Sequence, residues 1–166
     1  HDFNVGFDFN HESTQTREFS KRVNEFWLTE YRVDGFRFDL SKGFTQKNTL
    51  GNTYEWGQYD QSRVDIWEDY SDAIWDVNPD AYIILEHFAE NAEEKVLSQN
   101  GMLLWGNMNH DYNEATMGYN DGGNSDFSWI SYQDRGWDDP HVVGYMESHD
   151  EERLQYRNLT WGNSVP

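Results

Sequence analysis

The chain has 166 residues, no cysteine and a formal net charge of −19 from 31 acidic and 12 basic residues. Disulfide staples and thiolate chemistry are excluded, and nucleic acid or an anionic membrane surface would be repelled. No apolar run approaches the roughly 20 residues that span a bilayer, and no secretory leader is visible. A hydrophobic content of 36%, nearly half of it aromatic, suffices for one domain with a sizeable core. Eight Trp and ten Tyr offer flat faces with polar tips, which suit sugar stacking and core packing equally.

Taken in order, residues His1 to Ser13 read as a loop in which Phe3, Phe7 and Phe9 stand singly among Asp, Asn and Gly. Thr14 to Tyr31 reads as an amphipathic helix, with Phe19, Val23, Phe26, Trp27 and Tyr31 at helical spacing and Ser13 or Thr14 as N-cap. A buried strand follows from Val33 to Leu40, and Gly35 in it admits a close neighbour. Ser41 to Tyr59 is polar and rich in Gly, Asn and Thr, a long loop of the kind that carries function. Asp60 to Trp75 is a second helix, with Val64, Trp67, Ser71 and Ile74 on its core face. Asn78-Pro79-Asp80 stops it.

Ala81 to Glu86 is a continuous apolar strand that ends in a carboxylate. Phe88 to Gln99 reads as a helix closed by Asn100-Gly101, and Met102 to Trp105 as a third short strand. Asn107 to Tyr119 is a helix or an ordered loop, and Asp121 to Asp139 is loop. A fourth strand, His141 to Glu147, leads into Ser148-His149-Asp150, and the tail runs to Pro166. Strands alternating with helices imply right-handed βαβ units and a parallel sheet. No repeat or composition shift marks a domain boundary.

Parallel strands bring their carboxyl ends to one rim, where α/β proteins build their sites. Three strands here end in a carboxylate: Asp39, Glu86 and Asp150. Arg37 and Asp39, two apart on a strand, share a face. The bland reading of that pair is a bridge that braces the core. Against it stands the repetition of the pattern at three strand ends. The environments also differ. A close cation favours the ionised form of Asp39, whereas the apolar run before Glu86 raises a carboxyl pKa. One charged and one neutral carboxyl is the division of labour that glycosidic cleavage requires. His87, His110 and His141 lack metal-ligand spacing and read as satisfied polar or core histidines. Glu151 and Glu152 read as solvated or first-turn helix residues. Trp56, Trp105, Trp129 and Trp137 read as subsite or core aromatics.

Three segments carry a family resemblance. Asp34-Gly35-Phe36-Arg37-Phe38-Asp39-Leu40-Ser41-Lys42 resembles the second signature region of the α-amylase family of glycoside hydrolases, a retaining (β/α)8-barrel family. Ile84-Leu85-Glu86-His87 resembles the third region and Glu147-Ser148-His149-Asp150 the fourth. The resemblance implies hydrolysis of α-1,4-glucans such as starch and maltooligosaccharides. It makes Asp39 the nucleophile, oriented by Arg37, Glu86 the acid and base, and Asp150 the third carboxylate. His149 would hydrogen-bond sugar hydroxyls, and Lys42 would bind the sugar on the leaving-group side.

The chain also departs from the family. Its first region has no counterpart, Gly43 stands where a His is usual, and Ser148 stands where an Asn is usual. Calcium is therefore possible but without its usual ligand region, and no metal-binding residue is assigned. The strands correspond to about the fourth to the seventh of a barrel, so residues 1–166 are expected to form a partial catalytic barrel domain. Its open sheet edges are expected to be covered by a second copy or by the missing barrel segments as separate chains. The parent enzyme is expected to be secreted or periplasmic. The alternative is a catalytically inactive fragment that binds carbohydrate or only self-associates.

Overall fold

The structure, a computed structural model, describes residues 7–163. Phe3 of the expected opening loop and the Pro166 end of the tail lie outside those residues. The described chain runs α1 (Thr14–Glu30), β1 (Gly35–Phe38), α2 (Thr53–Trp56), α3 (Gln61–Val77), β2 (Tyr82–Leu85), α4 (Asn91–Gln99), β3 (Leu103–Asn107), α5 (Asn109–Met117), β4 (Val142–Tyr145) and α6 (Leu154–Trp161). It is an α/β protein with one all-parallel sheet in the order β1-β2-β3-β4. The chain divides after Leu104 into two compact units.

In the first unit, β1 and β2 pair in parallel from Gly35 opposite Tyr82 to Phe38 opposite Leu85. Gly35 is required there, because a Cβ would stand 2.2 Å from the Tyr82 carbonyl oxygen. Leu85 in turn lies opposite Leu104. β2 is the buried strand, and Ile83 and Leu85 are sealed. α3 packs against α1 and α4 and buries the expected face: Val64, Trp67, Ser71 and Ile74 are all buried. Asp60 caps that helix by accepting the Ser62 N–H. Trp67 also packs edge-on to Phe38 and stacks on Phe44, with centroids 4.9 and 4.4 Å away.

Four expectations for this unit change. The loop expected from Ser41 to Tyr59 holds a 3-10 turn at Ser41–Phe44 and the short helix α2. β1 spans only Gly35–Phe38 and is half-exposed along its length, because it is an edge strand. It cannot run on to Leu40, which adopts a left-handed φ of 45°. The helix expected from Phe88 begins at Asn91, because Phe88 is also left-handed with φ 51°. The apolar stripe of α1 is not core. Phe19, Val23, Phe26, Trp27 and Tyr31 are all exposed, and only Asn24 and Leu28 are buried. Their rings lean on one another instead, Trp27 on Tyr31 at 4.5 Å.

In the second unit the segment before Tyr119 is a helix, α5, which packs against α6. Its end is tied down by the Tyr119 hydroxyl, which donates to the Trp161 carbonyl at 2.7 Å. The segment 121–139 is irregular, as expected, with two short 3-10 turns. It lays Ile130 directly on Gly144 of β4, where a Cβ would come within 2.3 Å of the Ile130 side chain. Arg135 is buried with its guanidinium over the rings of Trp129 and Trp137.

Candidate active site

The first unit brings Arg37, Asp39 and Glu86 together at the carboxyl ends of β1 and β2. Parallel register carries β1 and β2 past Phe38 and Leu85 side by side, so their next residues emerge as neighbours. The Arg37 guanidinium forks between them. Nη1 donates to Asp39 Oδ1 at 2.5 Å and Nη2 to Glu86 Oε2 at 2.6 Å. Arg37 thus serves both carboxyls, beyond the expected partnership with Asp39 alone.

The two carboxyls sit in unequal surroundings. The Asp39 side chain is 75% exposed, whereas that of Glu86 is 11% exposed. Burial pushes the Glu86 carboxyl above its ordinary value. The Leu40 N–H and the Arg37 charge work against that rise. Asp39 reinforces it, by a hydrogen bond and by its own charge. Asp39 and Glu86 are thus linked through the one guanidinium, Asp39 on its exposed side and Glu86 on its buried side.

Lys42 lies behind this pair. Its Nζ donates to the Phe88 carbonyl at 3.1 Å and rests 4.4 Å from the centre of the Trp56 ring. Burial and the nearby Arg63 lower its pKa. A cavity of about 290 Å³ opens beside it, lined by Gly43, Thr45, Gln46, Lys47 and Trp56 among others.

Beneath both strand ends runs a buried polar chain that the sequence reading passed over. Glu93 of α4 takes Arg63 Nε at 2.6 Å and Nη2 at 2.7 Å, and the Asp60 N–H at 2.8 Å. It also contacts His87 Nε2 at 2.6 Å, and His87 Nδ1 meets the Ser41 hydroxyl at 2.8 Å. The Ser41 N–H donates to the Glu86 carbonyl at 2.9 Å. All four side chains are sealed from solvent. Burial disfavours the charged form of Glu93, but its bonds to His87 and Arg63 outweigh that and lower its pKa. His87 is pushed down by burial. A sequence signal existed: Arg63 falls on the same helical face as Trp67, Tyr70 and Ile74.

The second unit holds His149 and Asp150. Both are exposed, with His149 Nε2 3.4 Å from Asp150 Oδ2. The residue that organises this turn is Glu151, so the solvated reading of it is corrected. Its carboxylate accepts the Ser148 N–H at 2.7 Å, the Ser148 hydroxyl at 2.5 Å and Asn107 Nδ2 at 2.9 Å. Burial opposes its charge, but these bonds together lower its pKa. Of the aromatics, Trp56 and Trp137 are packed inside and Trp129 is exposed. His110 is exposed.

Calcium is the ion that the resemblance raises. Among the described residues no group of three or more His, Cys, Asp or Glu gathers that would hold a metal. No step of the chemistry is routed through the ion. Among the same residues, no helix is long and apolar enough to cross a membrane. No protein-family model matches this chain, and no curated protein matches it either.

Proposed function

We propose that the chain carries the reacting carboxyls of a retaining glycoside hydrolase that cleaves α-1,4-glucans, on part of a (β/α)8 barrel. The observation that carries this reading is the unequal pair. A buried Glu86 with a raised pKa and an exposed Asp39 share one guanidinium at adjacent strand ends. The three signature-like segments support it. Asp39 attacks the anomeric carbon as the glycosidic C–O bond breaks. The bond's electron pair goes to the leaving oxygen, which takes the Glu86 proton. Water then displaces Asp39 from the sugar and gives its proton to Glu86. By the resemblance, Asp150 and His149 hold sugar hydroxyls, and Lys42 serves the leaving-group side.

The test is release of reducing ends from soluble starch by the chain and by Glu86→Gln. The substitution is expected to lower the rate by about 10²–10⁴-fold. Equal activity in both proteins would overturn the assignment. A second reading, an inactive sugar-binding or self-associating fragment, is favoured by the exposed α1 stripe. No hydrolysis by either protein, with maltooligosaccharide binding retained, would establish it.

The partner expectation narrows to a second copy covering α1 and the β1 edge. On α1, Arg17 and Lys21 pair with Asp69 of α3 within the chain, and the exposed side that carries Phe26, Trp27 and Tyr31 is apolar, within a chain of net charge −19. That face can meet its own copy without the repulsion that the rest of the surface would impose.

A further inference from the structure

The two strand ends that carry Asp39 and Glu86 are bracketed by backbone strain. Leu40 follows Asp39 with φ 45°, and Phe88 lies two residues beyond Glu86 with φ 51°. A left-handed conformation is unfavourable for a residue with a Cβ. It persists only where surrounding contacts over-determine it, and such positions cluster at working sites. Here the contacts are visible. The Leu40 N–H donates to Glu86 Oε2 at 3.2 Å, an aim that its left-handed turn provides. The next residue, Ser41, is pinned from three sides. Its N–H bonds the Glu86 carbonyl, its hydroxyl meets His87 Nδ1, and its own carbonyl accepts Trp67 Nε1 at 3.0 Å.

The direction of the hydrogen bonds follows from charge. Glu93 is held as a carboxylate by the two-pronged Arg63 contact, so it only accepts. His87 must then present its proton on Nε2, which leaves Nδ1 as an acceptor. The Ser41 hydroxyl, also 3.0 Å from the Glu86 carbonyl, therefore gives its single proton to His87. Arg63, Glu93, His87 and Ser41 thus form one directed chain from α3 and α4 to the turn beside Glu86.

We infer that Ser41 and His87 are positioning residues for Glu86, a buried clamp that keeps the Leu40 N–H aimed at its carboxyl. This rests on the glycosidase reading. Neither residue touches the sugar. Both act by holding the strained Leu40 turn against the group that hands over the proton. The clamp therefore matters where the leaving oxygen needs that proton and not where the leaving group departs unaided.

The experiment compares a maltooligosaccharide with α-maltosyl fluoride, whose fluoride leaves without protonation. Two variants cut the same link from opposite sides. Ser41→Ala removes the hydroxyl, and His87→Gln keeps a donor for Glu93 but loses the Nδ1 acceptor. Each is expected to lower kcat on the maltooligosaccharide by about ten- to a hundredfold with KM unchanged. Each should leave fluoride hydrolysis within about twofold. The double variant should be no worse than either single one. Equal losses on both substrates would mean general loosening and would overturn the inference. A wild-type chain that hydrolyses neither substrate would instead sink the glycosidase reading, and the positioning role with it. Nitrogen-15 NMR of His87 judges the clamp apart from activity: the Nε2–H tautomer is expected, and a proton on Nδ1 would overturn the chain's direction.

Discussion

The end of β2 and the end of β4 carry the same kind of residue in opposite circumstances. Glu86 is buried and is touched by a guanidinium and a backbone N–H, above a sealed polar chain. The Asp150 side chain is 60% exposed, in a turn that its neighbour Glu151 organises. A strand-end carboxyl acquires unusual chemistry only where burial and partners act on it together. At β2 both do. At β4 the partners serve Glu151 and build the turn. The first end therefore holds a carboxyl perturbed by its surroundings, and the second leaves its Asp150 carboxylate to solvent.

The largest effect that sharpens this contrast comes from the charges beneath β2. Arg63→Met leaves Glu93 buried without its ion-pair partner, and such removal costs about 3–5 kcal/mol. The corresponding change at the β4 end, Arg153→Met, deletes a pair at 3.3 Å from an Arg side chain that is 64% exposed. It should cost no more than about 1 kcal/mol. Urea unfolding of the two variants measures both. Similar costs would erase the distinction between the ends.

Acid separates the ends next. The pKa of His87 is lowered from 6.5, and burial lowers that of His11 to about 4. A depressed histidine binds its proton more readily in the unfolded chain. Stability from it is complete above pH 6.5 and lost as pH falls toward the folded value. Glu93, lowered from 4.5, adds a second loss below that pH. Glu86 has the opposite sign: its pKa is raised, so its neutral form favours folding in acid and offsets part of the loss. In the second unit, Glu151 begins to matter only below 4.5. Protection factors for amide exchange should therefore fall in α3 and β2 between pH 6.5 and 4.5, while those in α5 and α6 hold. His87→Gln should remove part of that early limb. Simultaneous loosening of both units would contradict the difference.

Much of the first unit could be read from residues alone, for reasons the structure makes concrete. The face of α3 is legible because Val64, Trp67, Ser71 and Ile74 obey one period and are all buried. Gly35 is legible because a close neighbour leaves a Cβ nowhere to go. The period of α3 places Arg63 on its core face, but its pairing with Glu93 is not legible, because only tertiary contact shows the two charges facing each other. The early end of β1 also escaped, since nothing local in Leu40 announces a left-handed turn imposed by Ser41 and Glu86. The stripe of α1 shows a different limit. Periodicity reveals that one face is apolar, and says nothing of what covers it.

That stripe supplies the smallest effect on stability and a clear one on assembly. Phe26 is 51% exposed, and its ring packs against Trp27 and Tyr31 of its own segment. Phe26→Ser should change the unfolding free energy by no more than about 0.5 kcal/mol, as surface substitutions do. A sealed residue such as Leu85, replaced by Ala, should lose about 2–5 kcal/mol. If a second copy covers α1, the parent chain sediments as a dimer and Phe26→Ser shifts it to monomer at equal concentration. Raising the salt should not dissociate the dimer, because the contact is apolar and the net repulsion of −19 charges is screened. A parent chain that stays monomeric at every concentration would show that α1 tolerates water. The exposed edge of β1 would then need no second copy to cover it.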